Sequence, residues 1–148
     1  MQVGIGANSG QVQVLIIADD LTGALDTASP FAEKGLKVRV FTAPEAVPSF
    51  GLDCDVLSVT TNSRHCEQSE AAALAGSAAR LAHMLKPKLV IKKIDSRLKG
   101  NVEAECRAVA RELGLQGMCI VPAAPDVGRC VINGHVVGAG VPTPISVH

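Results

Sequence analysis

From residue 12 to residue 18 every position but Gln13 is apolar, and the run stops at the paired carboxylates Asp19 and Asp20. An apolar stretch of strand length reads as a strand buried on both faces, as in a parallel sheet. At Leu21 the spacing becomes helical and stays so to about Lys34. Asp20 stands where a side-chain oxygen caps the first turn, and Gly35 where a helix ends. Pro30 falls inside this helix, removes one backbone hydrogen bond and predicts a bend or an interruption. Residues 37–42 alternate as a second strand and 55–60 read as a third, with a Pro-containing connection between them. Over 67–85, Ala71, Leu74, Ala75, Ala78, Leu81, Ala82 and Leu85 recur at helical spacing, which predicts one amphipathic helix whose Ala-rich face packs closely on a sheet. Residues 88–94 read as a fourth strand. A helix follows over 101–113, with Val102, Cys106, Val109, Ala110 and Leu113 on one side and Gly114 as its stop. Residues 118–121 read as a fifth strand, and past Pro122 the pattern turns short, Gly-rich and hairpin-like through 131–137. Strands alternating with helices imply an α/β fold: a mostly parallel, Rossmann-like sheet with flanking helices and right-handed crossovers, ending in a short Gly-rich hairpin. The chain shows no internal repeat.

Composition narrows the picture. A length of 148 residues suits one domain, and 47% hydrophobic with 19% charged residues suits an ordered one. Lys and Arg total 14 and so do Asp and Glu, so any anion site must be local rather than the product of a global field. Three Phe with no Tyr or Trp give no base-stacking platform, and a nucleic-acid partner is not expected. The five cysteines are odd in number and form no C-x-x-C pair. They fit reduced core thiols rather than a disulfide framework or a metal site. Residues 1–11 have neither a basic nor an apolar signal-peptide region and read as a flexible leader. No apolar run nears the roughly 18 residues of a membrane span. The expectation is a soluble, cytoplasmic α/β domain over residues 12–148 with no membrane partner.

In an open parallel sheet ligands bind beyond the carboxyl ends of the strands, so the polar residues that follow each strand carry the candidate chemistry. Asp19 and Asp20 follow the first strand. One can cap the helix, worth about 1 kcal/mol, with its neighbour solvated; as a pair they can instead bind hydroxyls or supply a general base. The segment from Lys92 to Asn101 gathers Lys, Asp, Ser, Arg, Gly and Asn at one strand-to-helix turn. Lys92 and Lys93 point to opposite sheet faces, so one of them can be structural. Gly100 permits close backbone approach, and the helix after it offers free N–H groups to a carboxylate or phosphate; a solvated basic loop is the plainer alternative. Arg64 and Arg129 follow two other strands and can grip a carboxylate bidentately or simply lie on the surface. His135 reads as a turn residue, and His65 and His83 as isolated. The Gly4, Gly6 and Gly10 run precedes the first strand, so it is no dinucleotide turn, and a P-loop is absent. A phosphate-acceptor Asp is missing from the end of the third strand, where Val59, Thr60 and Thr61 stand.

Five blocks in order resemble the four-carbon acid sugar kinase family: Ile17-Ala18-Asp19-Asp20-Leu21-Thr22-Gly23-Ala24; Ser63-Arg64; Lys92-Lys93-Ile94-Asp95-Ser96 with Leu98 and Gly100-Asn101; Pro122-Ala123 with Pro125 and Gly128-Arg129; and Gly134-His135 with Val137 and Gly138. The resemblance spans roughly residues 14 to 142. It implies an ATP-dependent kinase that phosphorylates a terminal hydroxyl of threonate, erythronate, an oxo-tetronate or a related acid. It also implies an acid-binding N-terminal domain and a separate C-terminal domain for ATP and Mg2+. The chain is then expected to be a truncated part of the first domain, inactive alone, with the ATP site elsewhere. Carried over by position, Asp19, Asp20, Ser63, Arg64 and Lys93 line the sugar-acid site. Asp95, Ser96, Gly100, Asn101 and Arg129 complete it. Arg64 and Arg129 are expected to hold the carboxylate, and Asp20 or Asp95 to orient the attacking hydroxyl as the catalytic residues. Arg97 and Lys99 join the site as departures, standing where Thr and Arg are usual, and Ala124 stands where an aromatic is common; a larger or branched acid is the implied consequence. Truncation leaves an apolar edge, from which a homo-oligomer is expected. A non-catalytic sugar-acid-binding or assembly domain is the alternative.

Overall fold

A computed structural model of the chain describes residues 11–147. The leader expected over 1–11 therefore lies, apart from Gln11, outside the described residues. Four strands, β1 (Val14–Ala18), β2 (Val38–Phe41), β3 (Val56–Thr60) and β4 (Leu89–Lys93), form a parallel sheet in the order β2-β3-β1-β4. β1 is flanked on both sides and buried at every residue, which explains its unbroken apolar run. Ala18 is level with Thr60 on β3 and with Lys93 on β4, so these strands deliver their loops to one line.

Helix α1 (Leu21–Glu33) packs Ala28 and Phe31 on the face that carries Val14, Ile16 and Val56. On the opposite face lie α2 (Gln68–Ala79), α3 (Leu81–Leu85) and α4 (Val102–Glu112), over a core of Leu15, Ile17, Leu57 and Val59 with Ala75, Ala78, Ala79 and Val109. The connection after β1 thus leaves to one face and those after β3 and β4 to the other. That reversal opens a crevice at the end of β1. Pro30 does not interrupt α1, because it sits on the exposed side where the carbonyl it leaves unpaired meets water.

Three expectations need correction. The helix read over 67–85 is divided at Arg80, whose N–H is shared between the Gly76 and Ser77 carbonyls at 3.2 Å; the i to i−3 bond tightens the turn and starts α3 afresh. Residues 118–121 form no strand. They run beside β4 and α4 across a cavity of about 500 Å³, and with no ladder partner an apolar run stays irregular. The terminal hairpin is a three-stranded antiparallel sheet: β5 (Arg129–Ile132), β6 (His135–Gly138) and β7 (Val141–Ser146). Asn133 and Gly134 turn β5 into β6 with φ of 48° and 73°, the double positive φ of a tight hairpin turn. β7 contains Pro142 and Pro144, which argue against a strand in sequence but are tolerated on its outer edge. Among the described residues no helix is long and apolar enough to cross a membrane.

Candidate functional site

At the end of β1, Asp20 adopts extended backbone geometry and accepts from the Gly23 N–H at 2.7 Å, capping α1. Its other oxygen, Oδ2, takes Arg64 Nη1 at 2.5 Å. Asp19 is buried and receives Arg64 Nε at 2.7 Å and Nη2 at 2.9 Å. Arg64 therefore uses its whole planar fork on two internal carboxylates, a charge-assisted arrangement that lysine cannot reproduce. The Asp19 bond, outweighing burial and aided by the charges of Asp19, Asp20 and Asp95, raises the Arg64 pKa further above its ordinary value. Removing Asp19 would leave two of the three donors of the fork without their partner and Asp20 as the one carboxylate still paired with Arg64.

The loop after β4 closes on this pair. Gly100 has φ +84°, and a side chain there would begin 3.2 Å from Asp19 Oδ2 and 3.5 Å from Arg64 Cγ. Only glycine meets both requirements without strain. Asn101 ties the same turn to the β3 loop, donating from Nδ2 to the Cys66 carbonyl at 2.9 Å. Asp95 Oδ1 accepts from the Arg97 N–H at 2.8 Å and the Lys99 N–H at 3.4 Å. Burial alone would raise the Asp95 pKa, but these amides, with Arg64 and Arg97 nearby, hold it below the ordinary carboxylate value. Lys93 lies against Gly23 and donates to the Ile94 carbonyl at 2.7 Å. Arg129 reaches over from β5, donating from Nη1 to Ser96 Oγ and from Nε to the Ala139 carbonyl, each at 2.8 Å. Its Nη2 and Arg97 Nη1 lie 3.6 and 3.7 Å from the point where a side chain on Gly140 would begin. The side chains of Arg97 and Lys99 make no hydrogen bond or salt bridge among the described residues.

The two lysines of β4 part as the strand geometry requires. Lys93 joins the crevice, while Lys92 is buried on the other face and pairs with Glu105 Oε2 of α4 at 2.7 Å. Ser63, expected in the site, has a wholly buried side chain that donates to Glu105 Oε1 at 2.7 Å. Thr61 Oγ1 stands 2.7 Å from Ser63 Oγ and 3.1 Å from the Ala18 carbonyl. Thr61 and Glu105 were not anticipated. The signal for Glu105 was available: it stands three residues after Val102 and four before Val109, a charge on the apolar side of α4. His135, read as a turn residue, is instead the first residue of β6, directly after the Asn133–Gly134 turn, with Nδ1 2.9 Å from the Asn133 carbonyl.

Loops from three level strands thus present a braced carboxylate pair, a third carboxylate and several cations to one crevice. Residues 14–146, most of the chain, match the sugar-binding N-terminal domain family. The chain belongs to that family. This sugar-binding domain is 40% identical over 131 residues to a D-erythronate kinase of Heliobacterium modesticaldum, a match that takes in 87% of the chain and 30% of the relative. It is 35% identical over 132 residues to a D-threonate kinase of Salmonella typhimurium, across 88% of the chain and 31% of the relative. The sugar-binding domain thus spans about 30% of the length of these kinases. A crystal structure from Bordetella bronchiseptica, a domain-swapped dimer with bound citrate, superposes with a TM-score of 0.79 at 32% identity over 88% of the chain and 34% of its own. The α/β architecture is shared with it.

Proposed function

We propose that the chain, over residues 12–148, is the sugar-acid-binding part of a cytoplasmic, ATP-dependent kinase acting on erythronate, threonate, 3-oxo-tetronate or a related acid. The observation that carries this reading is the crevice itself: the side chains of Arg97 and Lys99, with no hydrogen bond or salt bridge among the described residues, beside a carboxylate with one oxygen that accepts none there. The curated relatives named as sugar-acid kinases support it.

Roles follow from which atoms are already committed. Arg64 is spent on Asp19 and Asp20, so it braces the site instead of gripping substrate. The substrate carboxylate falls to Arg97 and Lys99, with Lys93 and the free Nη2 of Arg129 adding charge. Both oxygens of Asp20 are engaged, whereas Asp95 Oδ2 has no partner among the described residues. Asp95 is therefore the group that accepts a hydrogen bond from the attacking hydroxyl. Its lowered pKa keeps it ionised at neutral pH. A strong base is not needed, because phosphoryl transfer depends mainly on positioning and charge stabilisation. The described residues do not fit a resident Mg2+ ion. No group of three or more His, Cys, Asp or Glu side chains among them is placed to hold a metal, and Asp19 and Asp20 face Arg64. ATP and Mg2+ belong to a separate domain in this reading. Exposed apolar side chains, including Val121, Val127 and Ile132, favour a homo-oligomer.

Calorimetric titration with D-erythronate, D-threonate and 3-oxo-tetronate tests the assignment, with Mg-ATP as a parallel titrant. Saturable binding of one acid, weakened at least tenfold by Asp95→Ala, with no heat from Mg-ATP, is expected. Absence of binding to every acid would overturn the reading.

A further inference from the structure

Beneath the crevice lies an ion pair that no role above uses. The side chains of Lys92 and Glu105 are 3% and 2% exposed, and neither opens onto the crevice. Apolar residues of the same size would fill this space without the cost of desolvating two charges, so the pair calls for a reason beyond packing. Its polar connections supply one. Ser63 gives its single proton to Glu105 Oε1 at 2.7 Å, so in its 2.7 Å contact with Thr61 Oγ1 it accepts, and Thr61 shares its proton between Ser63 and the Ala18 carbonyl at 3.1 Å. The hydroxyl chain runs one way and ends on an anion, which strengthens each bond in it. Lys92 holds that anion, and it also donates to the Lys93 carbonyl at 2.9 Å. The loop so anchored needs an anchor. It leaves β3 through Asn62, an exposed residue with φ +53°, and two residues later must place a guanidinium flat against Asp19.

We propose that Glu105 is a positioning residue of the sugar-acid site: paired with Lys92, it ends the hydroxyl chain that fixes Ser63 and thereby sets Arg64 in its fork on Asp19 and Asp20. The connection of this loop to sugar acids rests on the function proposed above; the connection of Glu105 to Arg64 does not.

Two double variants of the chain separate positioning from stability. Lys92→Met with Glu105→Leu replaces the pair by apolar side chains of similar size, and its Tm is expected to stay near that of the unaltered chain. It should nonetheless lose at least tenfold in protection of the Arg64 Nε–H against hydrogen exchange, read by NMR. Its affinity for whichever of D-erythronate and D-threonate the unaltered chain binds should fall at least tenfold. Lys92→Met with Glu105→Gln keeps an oxygen for Ser63 and should recover most of both. Unchanged Arg64 protection in the Leu variant, or equal losses in the Leu and Gln variants, would overturn the proposal. Should the Leu variant not fold, Ser63→Ala decides, since it cuts the hydroxyl chain while leaving the ion pair; tenfold faster Arg64 exchange is expected, and unchanged exchange would overturn the proposal. If the unaltered chain binds neither acid, the functional reading falls, while the Arg64 exchange comparison still decides the role of Glu105.

Discussion

Arg64 carries the lesson at the scale of single residues. In sequence it reads as a bidentate clamp, and it is one, but the carboxylates it grips are Asp19 and Asp20 of the same chain. Residue type and strand-end position reveal the chemistry of such a group, while its partner depends on which loops arrive together. Asp95 gives a direct test of local electrostatics. Its folded pKa lies below the ordinary value of 3.8, so the ionised form is favoured by folding. Its contribution to stability is therefore present above about pH 4 and is lost as pH falls through the lower, folded pKa. Urea unfolding across pH 2 to 7 should show Asp95→Asn less stable than the unaltered chain at neutral pH. The two curves should converge at the acid end; a constant gap would contradict the assignment.

At the scale of elements, space decides what propensity leaves open. Gly76 in α2 faces α4, and a side chain added there would meet Ala108 Cβ at 3.9 Å, an ordinary contact. Gly76→Ala should therefore stabilise the domain by about 0.5–1 kcal/mol, through helix propensity and a less free unfolded chain. Gly23 in α1 is the opposite case. A Cβ there would fall 2.7 Å from Asp20 Oδ1 and 3.3 Å from Lys93 Cγ, displacing the cap. Gly23→Ala should cost about 1 kcal/mol or more. Thermal unfolding of the two variants should shift Tm in opposite directions. The elements legible in sequence were those with a strong period and clear stops: β1 with its apolar run, α1 between Asp20 and Gly35, and α4 before Gly114. The split at Arg80 was hidden because a tightened turn leaves the helical spacing almost unchanged.

At the scale of the whole molecule, two sheets of different construction meet at the crevice. Arg129 joins them, bonding Ser96 beyond β4 and the Ala139 carbonyl between β6 and β7. Arg129→Ala should loosen the antiparallel sheet alone. Amide exchange should quicken across Arg129–Ile132, His135–Gly138 and Val141–Ser146, while β1 and β3, buried at every residue, keep their protection. Equal acceleration in both sheets would mean that the tether also supports the parallel core.

The sequence alone determined the α/β class, the edge of the sheet where polar residues gather, and the family resemblance, because periodicity and strand-end residues are local properties written along the chain. The tertiary structure decided the rest. It turned Arg64 inward, sent Lys92 to a buried partner on α4 and Lys93 to the crevice, and left residues 118–121 outside the sheet. It also made a third strand of the Pro-containing stretch Val141–Ser146 by giving it an outer edge. Each of these outcomes depends on which groups distant in sequence arrive at the same place, and a charge or an apolar run has no fixed role until its partner is there.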